Sequence, residues 1–466
     1  MENKTIHCLV IPFPAHGHIN PMLQFSKLIQ NQGVKVTLVT PLSYYKNLPK
    51  LPSSITVETI SDGFDQSGLT LPKSFKHYLN QFWEVGPESL ADLINNLNGR
   101  SNNHVDCVIY DSFMPWCLDV AKRFGIIGAA FLTQNLAMNS IYYHVHMGKL
   151  KPPFAEQVIS LPALPQLLHR DMPSFYFTYE QDPTFLDLVV AQFSNIEKAD
   201  WILCNSFFEL EKEVIDWTKK IWPNFRTIGP SIPSMFLDKR IKHDEDYGAT
   251  QYKTEECMEW LNNKPKGSVV YVSFGSLASL NEEQLEEVAS GLKDCESYFL
   301  WVVRPSEETK LPKDFEKKSQ KGLVVTWCSQ LKVLAHESIG CFVTHCGWNS
   351  TLEALSLGVP IVAMPQWSDQ ATNAKFIVDV WKIGIRVPCD EKQVVRRNGM
   401  KECILEIMDG EKGKIIKSNV MRLKALATSA VGVGGSSYQN ITEFVNSLFH
   451  FTSITQSNRP PAFILQ

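Results

Sequence analysis

The sequence predicts an α/β protein of two doubly wound, Rossmann-like domains facing each other across a cleft. Three observations carry that prediction. Continuous apolar runs, the mark of strands buried on both faces, recur along the chain. Each is followed by a segment of helical character, as parallel βαβ units require. The alternation breaks once, between residues 231 and 256, and then resumes. With 466 residues the chain is long enough for two such cores.

The elements follow in order. Residues 6–12 form a continuous apolar strand, and residues 13–18 a loop. Asn20-Pro21 reads as a helix start, with Asn as N-cap and Pro at the first helical position, and Gly33 closes that helix. Residues 34–40 are the next strand, completing a βαβ unit whose crossover is expected to be right-handed. Residues 105–110 form another buried strand that ends at Asp111, and residues 201–205 one more. These observations set a first domain at 1–235, a linker at 236–256 and a second domain at 257–435. The second half of the chain opens with a helix at 257–262 and a strand at 269–274 and closes with helices near 404–408, 415–427 and 441–449. The last 15 residues, 452–466, carry Ser, Thr, Asn and a Pro pair and read as a disordered tail.

Composition excludes several function classes. The apolar fraction of 44% and charged fraction of 20% are those of a soluble globular protein. A net charge of −4, with no Lys/Arg run longer than a pair, argues against nucleic acid as a partner. The 11 cysteines are odd in number and scattered, and none form a Cys-x-x-Cys pair. A zinc site is therefore not expected, and a reducing, cytoplasmic location is. The N-terminus lacks signal-peptide form, and no apolar stretch approaches the roughly 20 residues of a membrane span.

One segment carries more chemistry than the rest. The apolar run 339–344 ends in His345-Cys346-Gly347-Trp348-Asn349-Ser350, and a helix-like run with Leu352, Leu355 and Leu357 follows. Strand, glycine turn and helix N-terminus together offer free N–H groups and the positive end of a helix dipole to a phosphate. A histidine and an Asn-Ser pair add side-chain donors at the same place.

The stretch from Trp327 to Gln370 resembles the signature box of plant secondary-product glycosyltransferases, within the family 1 UDP-sugar-dependent enzymes. The likeness runs through Trp-Cys-x-Gln, His-Cys-Gly-Trp-Asn-Ser, Glu353, Gly358-Val359-Pro360 and Asp369-Gln370. The opening run from Pro12 to Pro21, Tyr110-Asp111-Ser112 and Ser273-Phe274-Gly275-Ser276 resemble the same family. The opening run is most similar to the subgroup that glucosylates carboxylic acids, hormones and terpenoids. The resemblance implies a GT-B fold: acceptor bound by the N-terminal domain, UDP-sugar by the C-terminal one, and a last helix, about 436–451, packing back on the first domain.

It also implies roles. Trp327 stacks on uracil, Cys328 and Gln330 fix the nucleoside, and Glu353 accepts both ribose hydroxyls. His345, Asn349, Ser350 and Ser276 hold the diphosphate, Trp348, Asp369 and Gln370 read the hexose, and Gly347 and Trp367 also bind the donor. Gln370 favours glucose over galactose. His18 acts as general base toward an acceptor hydroxyl, and Asp111 orients it. No metal or cofactor is expected beyond UDP-glucose as donor substrate. The other partner is a small hydrophobic acceptor, and the protein is expected to be a monomer.

Structural alternatives stand beside these roles. Ser350 to Glu353 also reads as a capping box. Trp327 and Trp348 also read as core residues, Ser276 as an N-cap, and Asp111 as the cap of a helix near Pro115. His16 competes with His18 as the base. The aromatic residues Phe82, Trp83, Phe113, Trp116, Tyr142, Phe175 and Phe177 read either as an acceptor pocket or as core. UDP-galactose as donor, or sugar-nucleotide binding without turnover, are the alternative functions.

Overall fold

The structure is a computed structural model that describes residues 5–46, 48, 51, 54–65, 73–100, 103–152, 157–242, 244, 247, 255–313, 315 and 321–457. Its strands are β1 (His7–Ile11), β2 (Lys35–Pro41), β3 (Thr56–Ile60), β4 (Cys107–Asp111), β5 (Ile127–Leu132), β6 (Val158–Ile159), β7 (Leu167–Leu168), β8 (Trp201–Cys204) and β9 (Phe225–Thr227) in the first half. The second half holds β10 (Val269–Ser273), β11 (Tyr298–Val302), β12 (Gly322–Val325), β13 (Ile339–Thr344), β14 (Ile361–Ala363) and β15 (Gly384–Arg386).

Two all-parallel sheets result. The first has the order β3-β2-β1-β4-β5-β8-β9, the second β12-β11-β10-β13-β14-β15. A parallel sheet must be covered on both faces, and β1, β4, β10 and β13 are buried along their whole length, as their unbroken apolar runs require. In each sheet the strand order reverses next to the first strand, between β1 and β4 and between β10 and β13. Helices leave such neighbouring strands toward opposite faces, which opens a crevice at their carboxyl ends. Topology alone therefore brings the loops after β1, β4, β10 and β13 to the cleft.

The two halves are not independent bodies. Ala137, Phe207 and Leu210 from the first half share one apolar cluster with Trp348, Leu352 and Trp381 from the second. The last helix, Ser436–Ser457, lays Ile441, Phe444, Val445 and Leu448 against Val10, Phe25 and Phe131 under the first sheet. An Arg226–Glu443 ion pair and the bond from Asn440 Nδ2 to the Thr227 carbonyl fix it there.

Three expectations need correction. The first helix runs His16–Gln30, so Asn20 is not its cap and Pro21 lies inside it. Lying past the first turn, Pro21 removes one intrahelical bond, the one to the Gly17 carbonyl. The helix after β13 opens at Trp348 with Gly347 as N-cap, which places Ser350 inside the helix and removes the capping-box reading of Glu353. The last helix continues past residue 451 to Ser457, so residues 452–457 are helical; the rest of the expected tail, 458–466, lies outside the described residues. Within the expected linker, Asp244 is buried and accepts hydrogen bonds from Gln24 Nε2, Lys27 Nζ and the Ser234 N–H.

Candidate active site

His18 lies in the first turn of the helix after β1, and Asp111 is the last residue of β4. His18 Nδ1 sits 2.7 Å from Asp111 Oδ2 and 3.2 Å from Thr133 Oγ1, at the end of β5. Asp111 is fully buried, and its other oxygen accepts the Phe113 N–H at 3.0 Å. A carboxylate held this way fixes Nδ1 as the protonated nitrogen and leaves Nε2 as the basic one. The rings of Phe13 and Phe113 flank the imidazole at 5.4 and 4.8 Å. His16 is exposed and turns toward Tyr44, so His18 is the histidine that meets Asp111.

On the facing wall the His345 ring is wedged between two glycines. A Cβ built on Gly275 would lie 2.7 Å from that ring, and one on Gly347 2.5 Å from it, so neither position has room for a side chain. Burial, reinforced by the charge of Arg304, pushes the imidazole down to about 4. At neutral pH His345 is therefore an uncharged N–H donor rather than a cation. Ser276 is exposed in the Gly275 turn, and its carbonyl accepts from Arg304 at 2.7 Å.

Asn349 donates to the Gly17 carbonyl at 2.8 Å, across the cleft. That carbonyl is available because the residue four positions on is Pro21, which has no N–H to give it. The proline that seemed to open the helix thus frees an acceptor next to His18.

A buried polar group surrounds Glu353. Its carboxylate accepts from Gln330 Nε2 at 2.7 Å and from Tyr247 of the linker at 3.1 Å; Gln330 also donates to Ser350 Oγ at 2.9 Å and accepts from Tyr271. Burial pushes the Glu353 carboxyl up to about 7, against the opposing pull of these bonds. Trp327 is half-buried just after β12, and the thiol of Cys328 is buried 3.3 Å from the Tyr271 hydroxyl.

The hexose-side residues divide. Asp369 is buried, and its Oδ2 accepts from Asn373. Burial holds its carboxyl above the usual range, with the Asn373 bond the largest of the opposing effects. Gln370 uses its carbonyl oxygen to accept the Gln366 and Trp367 N–H groups at 2.9 and 3.0 Å, so only its NH2 end remains to meet a sugar. The Trp348 side chain does not join this group. It is 4% exposed, packs on Trp381, and donates its indole N–H to the Asn205 carbonyl at 2.8 Å. The expectation that Trp348 reads the hexose is corrected for its side chain, which is committed to Asn205 and Trp381. Trp367 packs against an apolar cluster of the second half and is also edge-on to Phe175 and Phe185 at 5.7 Å each.

That contact ends an aromatic wall running from Phe13 through Phe75, Phe185 and Phe175 to Trp367. Of the expected pocket aromatics, Phe113 and Phe175 belong to this region, Phe82 and Tyr142 are core, and Phe177 is exposed. Sequence reasoning missed Phe75, Phe185, Tyr247 and Thr133. Only Thr133 carried a usable signal, its place at a strand's carboxyl end. Among the described residues no group of three or more His, Cys, Asp or Glu side chains is placed to hold a metal ion, and no helix is long and apolar enough to cross a membrane.

Comparison with known proteins bears on this geometry. Residues 233–429 match the family described as UDP-glucoronosyl and UDP-glucosyl transferase, and residues 4–49 match a glycosyltransferase N-terminal domain. Mogroside I-E synthase of Siraitia grosvenorii is 48% identical over 96% of this chain and 99% of its own length. Flavonol 7-O-beta-glucosyltransferase UGT74F1 of Arabidopsis thaliana is 43% identical over 96% and 99%. The crystal structure of Os79 from O. sativa in complex with UDP superposes with a TM-score of 0.88 at 38% identity, covering 95% of this chain and all of that one. Whole-length identity of this order, on a shared GT-B architecture, establishes that the chain belongs to the UDP-glucoronosyl and UDP-glucosyl transferase family and is a UDP-sugar-dependent glycosyltransferase.

Proposed function

We propose that the protein transfers glucose from UDP-glucose to a hydroxyl or carboxyl group of a small apolar acceptor, with inversion at the anomeric carbon. The observation that carries this reading is the His18–Asp111 pair, 2.7 Å apart, facing the start of the Trp348–Leu357 helix. The acceptor oxygen attacks the anomeric carbon from the face opposite the diphosphate and gives its proton to His18 Nε2. The bond from the anomeric carbon to the phosphate oxygen breaks, and its electron pair leaves with UDP. Asp111 stabilises the imidazolium that forms. Backbone N–H groups at the helix start, with His345, Ser276 and Ser350, receive the charge that develops on the leaving diphosphate. Trp327, Cys328, Gln330 and Glu353 bind the nucleoside, and Asp369 and the NH2 end of Gln370 bind the hexose. No resident cofactor or metal takes part in this scheme.

The aromatic wall beside His18 suits a flat or polycyclic acceptor. The name of one relative, a flavonol 7-O-beta-glucosyltransferase, supports glucose as the sugar and a beta product, hence inversion. In this reading residues 1–235 with the last helix form the acceptor domain, 236–256 the linker and 257–435 the donor domain. The enzyme works as a cytoplasmic monomer, a setting that suits 11 free cysteines.

A carboxylate acceptor is already ionised at neutral pH and needs no base. His18→Ala is therefore expected to lose about 10²–10⁴-fold in kcat/KM with hydroxyl acceptors and far less with carboxylates. Mass spectrometry of products from UDP-glucose and a mixed acceptor panel measures both. Equal losses on the two acceptor types would remove the base role.

A further inference from the structure

A buried line of hydrogen bonds joins the first half of the molecule to Asp369. Asn135 is the N-cap of the Leu136–His146 helix, and its Oδ1 accepts the Met138 N–H at 2.7 Å. Glu211 secures the same helix start, accepting the Leu136 and Ala137 N–H groups at 3.0 and 2.9 Å. With its oxygen committed to the backbone, Asn135 can only donate outward. Its Nδ2 reaches Asn373 Oδ1 at 2.6 Å, across the interface between the halves. Asn373 is oriented in turn: its Nδ2 donates to the Cys346 carbonyl at 2.9 Å and to Asp369 Oδ2 at 2.8 Å. The N–H at one end and the carbonyl at the other cannot exchange roles, so the direction of both amides is fixed.

Both asparagines are 0% exposed. Burying two amides at an interface is costly unless every bond is made, and an apolar pair would fill the space without that cost. What the pair holds is specific: the Cys346 carbonyl at the turn into the phosphate-facing helix, and the carboxylate of Asp369. The geometry points to Asn135 and Asn373 as positioning residues for the donor sugar, aiming Asp369 at the hexose only when the two halves are docked. This inference rests on the reading of Asp369 as a hexose ligand. It makes sugar selection a property of both halves, although every residue that touches the sugar in that reading belongs to the second.

Serine at position 135 keeps an N-cap oxygen, adds no charge and is too short to reach Asn373. The test titrates Asn135→Ser, Asn373→Ala, their double variant and Asp369→Asn with UDP and with UDP-glucose. It also compares kcat/KM for UDP-glucose and UDP-galactose. UDP has no hexose, so its affinity is expected to stay within about 2-fold in Asn135→Ser, which leaves the Asn373 bond to the Cys346 carbonyl in place. The KM for UDP-glucose is expected to rise roughly 10-fold, and the preference over UDP-galactose to fall by about the same factor. The double variant is expected to lose no more than the worse single one, because both cut one line. A parallel loss of UDP affinity in Asn135→Ser, or unchanged sugar preference, overturns the inference. If Asp369→Asn loses preference and Asn135→Ser does not, positioning fails while the reading of Asp369 stands. If Asp369→Asn keeps its preference, that reading fails and the inference falls with it. Should Asn373→Ala not fold, Asn135→Ser decides alone.

Discussion

Raising the pH from 6 to 8 titrates Glu353 in the free enzyme, because burial has pushed its carboxyl up to about 7. Ribose hydroxyls donate hydrogen bonds, so the donor prefers the ionised form. Binding therefore lowers the carboxyl's pKa and releases a proton, and affinity increases with pH until Glu353 is ionised. The ionised share climbs from about one tenth at pH 6 to about nine tenths at pH 8. If only that form binds, the Kd for UDP-glucose tightens about 10-fold, or ~1.4 kcal/mol. UDP-glucose is a diphosphate diester whose own charge is constant in this range. His345, held near 4, stays neutral throughout. Calorimetry in two buffers of different ionisation enthalpy at pH 7 is expected to show release of about half a proton, and Glu353→Gln to abolish both effects. A Kd independent of pH, with no buffer-dependent heat, would refute the assignment of Glu353 to the ribose.

Tyr247→Phe removes one of the two bonds that oppose burial at Glu353, so the midpoint of that profile is expected to move to higher pH. Stability gives an opposite signature. Glu353 has a raised carboxyl, so its contribution is complete below the ordinary carboxylate range and is lost as pH rises through about 7. Melting curves should accordingly show Glu353→Gln gaining on the parent enzyme between pH 5 and 8. Gly275→Ala adds a left-handed strain of about 1–2 kcal/mol to its clash with His345, and UDP binding by calorimetry is expected to weaken more than 10-fold. Trp348→Phe loses the indole bond to Asn205, and denaturant unfolding is expected to register a loss of roughly 1–3 kcal/mol while the KM for UDP-glucose changes little; a large KM change would return the Trp348 side chain to the sugar site.

The sequence by itself determined the architecture and the edge at which the chemistry sits. Unbroken apolar runs identify β1, β4, β10 and β13, because only strands covered on both faces are apolar throughout. Asp111 was legible because it ends such a strand, His18 because it lies just beyond the loop that follows one, and the box from Trp327 to Gln370 because its residues are close in the chain. Tertiary structure decided which way the side chains at the cleft point. The Trp348 ring is drawn inward because the Asn205 carbonyl, 143 residues away, takes its N–H, and Trp367 stands edge-on to the rings that Phe175 and Phe185 offer. Asn135 and Asn373 were silent in the sequence because their partners lie 238 residues apart. A residue's place on an element follows from local periodicity, but the direction of a polar side chain at an interface is set by whichever distant group satisfies it, and only the folded chain brings that group within reach.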